Sequence, residues 1–145
     1  MKIECVLDTN VLISGILWRG IPFKLLSWAE EGKIRVFSSL EIMAEVHRVL
    51  HYPKFQEYID HQRVSPGDLF EKVESLCTIV HVDQNVSGVC PDPDDEKFLA
   101  CALASGVKFL VSGDKHLLDM KAYQSIRILT TQSFYEEIST ALQSN

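Results

Sequence analysis

The chain has 145 residues, a formal net charge of −6, 46% apolar residues and 23% charged residues. That size and balance suit one domain over residues 1–145 with a real core, and they exclude a fibrous, disordered or disulfide-built chain. No apolar run is long enough to cross a membrane and the N-terminus enters a strand at once, so we expect a cytoplasmic protein without a signal peptide. The acidic balance argues against a coat of basic residues for non-specific nucleic-acid binding. It leaves room for a nucleic-acid enzyme whose acids hold cations.

In chain order, Ile3-Glu4-Cys5-Val6-Leu7 reads as a buried strand, being apolar and β-branched. It stops at Asp8-Thr9-Asn10, residue types that favour turns and helix N-caps, and Val11, Leu12 and Ile16 resume at helical spacing. Pro22 opens a second helix through Phe23, Leu25, Leu26, Trp28 and Ala29 that ends at Gly32. Ile34–Phe37 is a second strand, and Ser38-Ser39 caps a helix over Leu40–Leu50. Tyr52-Pro53 breaks that helix before a short one carrying Phe55, Tyr58 and Ile59. Ser65-Pro66-Gly67-Asp68 starts another, with Leu69, Val73 and Leu76 inward. Thr78–Val82 alternates and reads as a strand near a sheet edge.

Asp83–Pro91 reads as a polar loop. Asp92 caps the next helix, with Pro93 at its first position and Gly106 at its end. Lys108–Val111 is a strand, Ser112-Gly113-Asp114 its turn, Leu117-Leu118 a short helix or turn, and Ile126–Leu129 a last strand. Thr131–Ser133 caps a final helix with Phe134, Ile138 and Leu142 inward. Strands alternating with helices predict an α/β fold of three layers, α/β/α, around a central, mostly parallel sheet. Cys5, Cys77, Cys90 and Cys101 show no C-x-x-C pair or zinc spacing, so a disulfide framework and structural zinc are not expected.

Four carboxylates have a topological reason to meet. Asp8 and Asp114 each follow a strand at the same sheet edge, where open α/β sheets bind ligands. Asp95, in the first turn of its helix, shares a side with Leu99 and Ala102. Glu45 lies at the margin of the apolar arc formed by Leu40, Ile42, Met43, Ala44, Val46, Val49 and Leu50. Taken singly, Asp8 and Asp92 read as caps, Asp94, Asp95 and Glu96 as complements of a helix dipole, and Glu45 as a solvated position. Together they pose an electrostatic problem that divalent cations with oxygen ligands resolve, Mg²⁺ or Mn²⁺ rather than zinc, since no histidine or cysteine cluster stands beside them. Such a site suits phosphoryl chemistry.

Leu7-Asp8-Thr9-Asn10-Val11, Glu45 on its helix, Asp92-Pro93-Asp94-Asp95-Glu96-Lys97-Phe98-Leu99-Ala100 and Val111-Ser112-Gly113-Asp114-Lys115 resemble a PIN domain, and within it the toxin-like prokaryotic branch. The resemblance covers nearly the whole chain and keeps all four acids in order. It implies a Mg²⁺- or Mn²⁺-dependent nuclease hydrolysing single-stranded RNA, with Asp8, Glu45, Asp95 and Asp114 as metal ligands and catalytic residues. Thr9, Asn10 and Ser112 would support them. Asp94 is the rival of Asp95, the choice resting on the Phe98-Leu99-Ala100 pattern. The resemblance further implies a small antitoxin partner and a homodimer. His116 stands where many relatives carry an acid. Lys115, His116 and Arg19 are candidate substrate contacts, as is Lys24, and Trp18 and Trp28 are candidate stacking platforms. Two other readings stay open: a phosphatase or phosphotransferase with Asp8 as nucleophile, which would want a second aspartate where Asn10 stands, and a catalytically inert PIN-like interaction module.

Overall fold

A computed structural model describes residues 2–83 and 85–143. Its centre is a six-stranded sheet: β1 (Ile3–Leu7), β2 (Ile34–Ser38), β3 (Cys77–Ile79), β4 (Phe109–Val111), β5 (Ala122–Tyr123) and β6 (Ile126–Leu129), in the spatial order β3-β2-β1-β4-β6-β5. All pairings are parallel except β5 with β6. The chain steps from β1 outward to β2 and β3, then returns to the other side of β1 for β4. That reversal leaves a crevice between the carboxyl ends of β1 and β4, the place where such sheets bind ligands.

Helices α1 (Thr9–Leu17), α2 (Ile21–Glu30), α3 (Leu40–Leu50), α4 (Pro53–His61), α5 (Pro66–Leu76), α6 (Glu96–Ser105), α7 (Lys115–Met120) and α8 (Thr131–Gln143) cover the sheet. Right-handed crossovers put the helices of the outward steps on one face and α6 and α7 on the other. α3 touches both α1 and α6 and so closes one side of the crevice. The core is continuous, with Leu7, Leu12, Leu25, Ile42, Leu99, Leu110, Leu117, Phe134 and Ile138 all fully or almost fully buried. Gly15 lets α1 and α2 touch: a Cβ there would sit 2.6 Å from Leu26 Cδ1 and 2.9 Å from the Pro22 carbonyl oxygen. None of the helices among the described residues is long and apolar enough to cross a membrane.

Several expectations need correction. The strand expected over Thr78–Val82 ends at Ile79, because its neighbour β2 ends at Ser38 and the next residue, Ser39, caps α3. One further bond, from Val80 N–H to the Ser38 carbonyl at 2.9 Å, is all the ladder that remains. Leu40 and Ala44, placed in the apolar arc of α3, are exposed. The cap of α8 is Thr130, whose hydroxyl accepts from Ser133 N–H at 3.0 Å, rather than Thr131–Ser133. β5 has no counterpart in the sequence reading. The expected loop Asp83–Pro91 includes Gln84, which lies outside the described residues.

Candidate metal centre

Asp8 is the pivot. It is 3% exposed and caps α1, its Oδ1 accepting from Val11 N–H at 2.8 Å. Its Oδ2 accepts from Ser112 Oγ at 2.5 Å and from Gly113 N–H at 3.3 Å, so the tips of β1 and β4 are tied together through this carboxylate. Burial pushes its pKa up, with a contribution from the charge of Asp114, while the three donors pull it back. Ser112 is fully buried and serves both strand tips: it donates to Asp8 and accepts from Asp114 N–H at 2.9 Å.

Asp114 caps α7 through Leu117 N–H at 3.1 Å. Asp92 caps a 3-10 turn, Pro93–Asp95, that leads directly into α6. Of the two adjacent aspartates, Asp94 is exposed and Asp95 buried, so the apolar pattern of α6 read the register as the structure has it. Burial first, then the charges of Asp114 and Asp92, push the Asp95 carboxyl up to about 6. Among the described residues only two buried side-chain polar atoms lack a partner, and Asp95 Oδ2 is one of them. An orphaned buried carboxylate oxygen is costly unless a cation or a proton satisfies it.

Glu45 reaches the crevice from α3. Its Oε1 accepts from the Thr9 hydroxyl, and its Oε2 pairs with Lys97 Nζ at 3.0 Å and Arg48 at 3.5 Å. Lys97 is the residue that sequence reasoning missed: its side chain is 8% exposed, and Nζ also donates to the Asp94 carbonyl at 2.6 Å. Its position two residues past Asp95 in the first turn of α6 was the available signal. Glu96 has a different task, accepting from Val89 and Cys90 N–H at 2.7 and 3.2 Å and so pinning the loop before α6. Cys90 is buried there, and burial together with Glu96 and Asp95 pushes its thiol up to about 11, which makes it a packing residue rather than a reactive thiolate.

Asn10 is exposed in the first turn of α1. No histidine cluster joins the acids, but the single His116 does: one ring nitrogen of His116 and one oxygen each of Asp95 and Asp114 lie within 4.8 Å of one another. Lys115 is exposed next to them. Arg19 is not brought in. It lies beyond the far end of the nine-residue α1, about 14 Å along its axis from Asp8, with its guanidinium 4.4 Å from the Phe23 ring centroid. Lys24 lies over Tyr135, Trp28 stacks on Tyr135 at 4.8 Å, and Trp18 packs against Tyr58 at 4.2 Å, so these residues serve helix packing. A groove of about 430 Å³ between the start of α3, residues 80–82 and 85–86 and the start of α6 is lined by Lys97, the partner of Glu45, and by none of Asp8, Glu45, Asp95 and Asp114.

These features define an α/β protein with a cation-ready acidic site at the switch point of its sheet. A family model described as the PIN domain matches residues 4–116, and the chain belongs to that family. It is 30% identical to the uncharacterized protein MJ1680 of Methanocaldococcus jannaschii, over 94% of this chain and 92% of that one. Its fold is similar to the crystal structure of VapBC2 from Rickettsia felis bound to a DNA fragment from their promoter, with a TM-score of 0.60, 13% identity, and coverage of 87% of this chain and 97% of that one.

Proposed function

We propose that this PIN domain is a divalent-metal-dependent endoribonuclease that hydrolyses phosphodiester bonds in single-stranded RNA. Asp8, Glu45, Asp95 and Asp114 would hold Mg²⁺ or Mn²⁺. The observation that carries the reading is Asp95: its Oδ2 is a buried carboxylate oxygen that no donor among the described residues satisfies, and one of its oxygens lies within 4.8 Å of a second acid, Asp114. All-oxygen carboxylate sets are what these hard ions take. When bound, the ion supplies Lewis-acid stabilisation of the charge that develops as water displaces an oxygen from phosphorus.

The chain's own residues set the geometry. Ser112 and Gly113 hold Asp8 to the β4 tip, so the carboxylate is fixed before substrate arrives. Thr9 and Lys97 orient Glu45 from two sides. Lys115, exposed next to Asp114, would meet an RNA backbone, while Asn10 and Asp94 are exposed and would act on the acids only from the solvent side. A phosphatase with Asp8 as nucleophile is disfavoured, because both oxygens of Asp8 are engaged by chain donors and position 10 offers an amide. A small antitoxin partner and a homodimer remain part of the proposal on the strength of the resemblance.

The test is cleavage of a mixed single-stranded RNA pool by wild type and by Asp8→Asn, with Mg²⁺ or Mn²⁺ and with EDTA. Activity abolished by both chelation and substitution supports the reading. A wild type that binds neither ion by calorimetry would sink it in favour of the inert module.

A further inference from the structure

The acids divide by how the chain already treats them. Asp8 already accepts from three donors of the chain, and Glu45 is held by Thr9, Lys97 and Arg48. Asp95 and Asp114 are the pair left facing one another, and the orphaned oxygen belongs to Asp95, a residue 9% exposed. Into that pair comes a third group of a different kind. His116, in the first turn of α7, brings a ring nitrogen within 4.8 Å of an oxygen of each, yet forms no ion pair with either carboxylate. Among the described residues no hydrogen bond of the chain ties the ring down. Donor atoms within 4.8 Å of one another are close to the spacing of two ligands on one ion, at most about 4.0–4.4 Å for metal–nitrogen and metal–oxygen bonds of roughly 2.0–2.2 Å each, and a small turn of the ring would close the difference.

We propose that His116 is a metal ligand, which together with Asp95 and Asp114 makes a nitrogen–oxygen–oxygen set that favours a first-row transition ion such as Mn²⁺ over Mg²⁺. This rests on the metal-dependent reading above and adds to it the choice of ion. Imidazole suits transition metals, whereas Mg²⁺ takes oxygen donors almost exclusively. A ring held by nothing else is free to turn onto the ion, and the buried partnerless oxygen of Asp95 gives that ion its strongest electrostatic reason to bind. A ring that touched only substrate phosphate would leave ion affinity untouched, so the two roles separate experimentally.

The experiment is calorimetric titration of the metal-free protein with Mn²⁺ and with Mg²⁺, in the absence of RNA, for wild type, His116→Ala and Asp95→Asn. His116 is exposed, so removing its ring leaves the core intact. We expect His116→Ala to weaken Mn²⁺ binding at least about tenfold, the scale on which even groups outside the first coordination shell act, and to leave Mg²⁺ binding nearly unchanged. Asp95→Asn should weaken both ions. Equal losses for the two ions in His116→Ala, or no loss for either, overturn the proposal while wild-type binding keeps the nuclease reading alive. A wild type that binds neither ion overturns both.

Discussion

Asp95→Asn tests the electrostatics of the site without any substrate. The wild-type carboxyl titrates near 6 because it is buried and faces Asp114 and Asp92. For an acid whose folded value is raised, the protonated form is the one the fold prefers. The penalty is therefore absent below about pH 4, grows as pH climbs through the interval to about 6, and is fully present above it. The gap between the ordinary carboxylate value and about 6 corresponds to roughly 3 kcal/mol. Asp114 is only partly buried and its charge is partly screened, so about 1–2 kcal/mol is the expected size. Urea unfolding in EDTA should show the variant matching wild type near pH 4 and exceeding it by that amount at about pH 8. Saturating Mn²⁺ should reverse the order, because an ion at about 100 times its Kd adds roughly 2.7 kcal/mol to the form that binds it. A variant no more stable than wild type at high pH in EDTA, or a gain that does not change with pH, would refute this account of Asp95.

Other substitutions probe the neighbours. Asp8→Asn should abolish RNA cleavage in either ion and, by turning an amide toward the Gly113 N–H, lower stability by about 1–2 kcal/mol in a urea titration. Lys97→Met keeps the packing but removes the cation from Glu45, which retains Thr9 and Arg48, so we expect a loss of about 1–2 kcal/mol rather than the 3–5 of a fully buried broken pair. The same variant should slow cleavage under saturating metal, and unchanged turnover would remove Lys97 from the positioning of Glu45. Gly15→Ala should cost about 1–3 kcal/mol by forcing Leu26 and Pro22 away from α1, with activity per folded molecule unchanged.

What the sequence disclosed depended on how local the controlling interaction is. Asp8 was legible because a strand end and a cap are decided within a few residues, and both are written in Val6-Leu7-Asp8-Thr9-Asn10. Asp95 was separable from Asp94 because the apolar surface of α6 fixes the helix phase, and the buried residue is the one in phase with Leu99 and Ala102. The helix start at Ser65-Pro66-Gly67-Asp68 is likewise local, and there the structure has a capping box between Ser65 and Asp68. The misses are of another kind. β5 is two residues held only by antiparallel pairing with β6, too short to show any period. β3 ends early because β2 does, which is a property of the partner strand. Lys97 against Glu45 joins α6 to α3, and His116 against Asp95 joins α7 to the start of α6. Each residue's own segment gives its place, Lys97 in the first turn of α6 and His116 beside Asp114, but not the partner on the other element.

The distribution of donors around the acids explains how one small domain can hold such a site and still fold. Had all four carboxylates been left bare, their mutual repulsion and burial would have weighed against a fold whose net stability is typically only about 5–15 kcal/mol. Three of them are instead paired with groups the topology already supplies: the hydroxyl of Ser112 and the N–H groups at two strand tips, the hydroxyl of Thr9, and the ammonium of Lys97. Those bonds fix positions as well as offset charge, so the geometry exists before any ion arrives. The cost is concentrated on Asp95, at the point where the chain provides an acid and an imidazole but no donor. A cation bound there would relieve the buried Asp95 Oδ2, which no donor among the described residues satisfies, and would so couple the stability of the fold to the ion proposed for its chemistry.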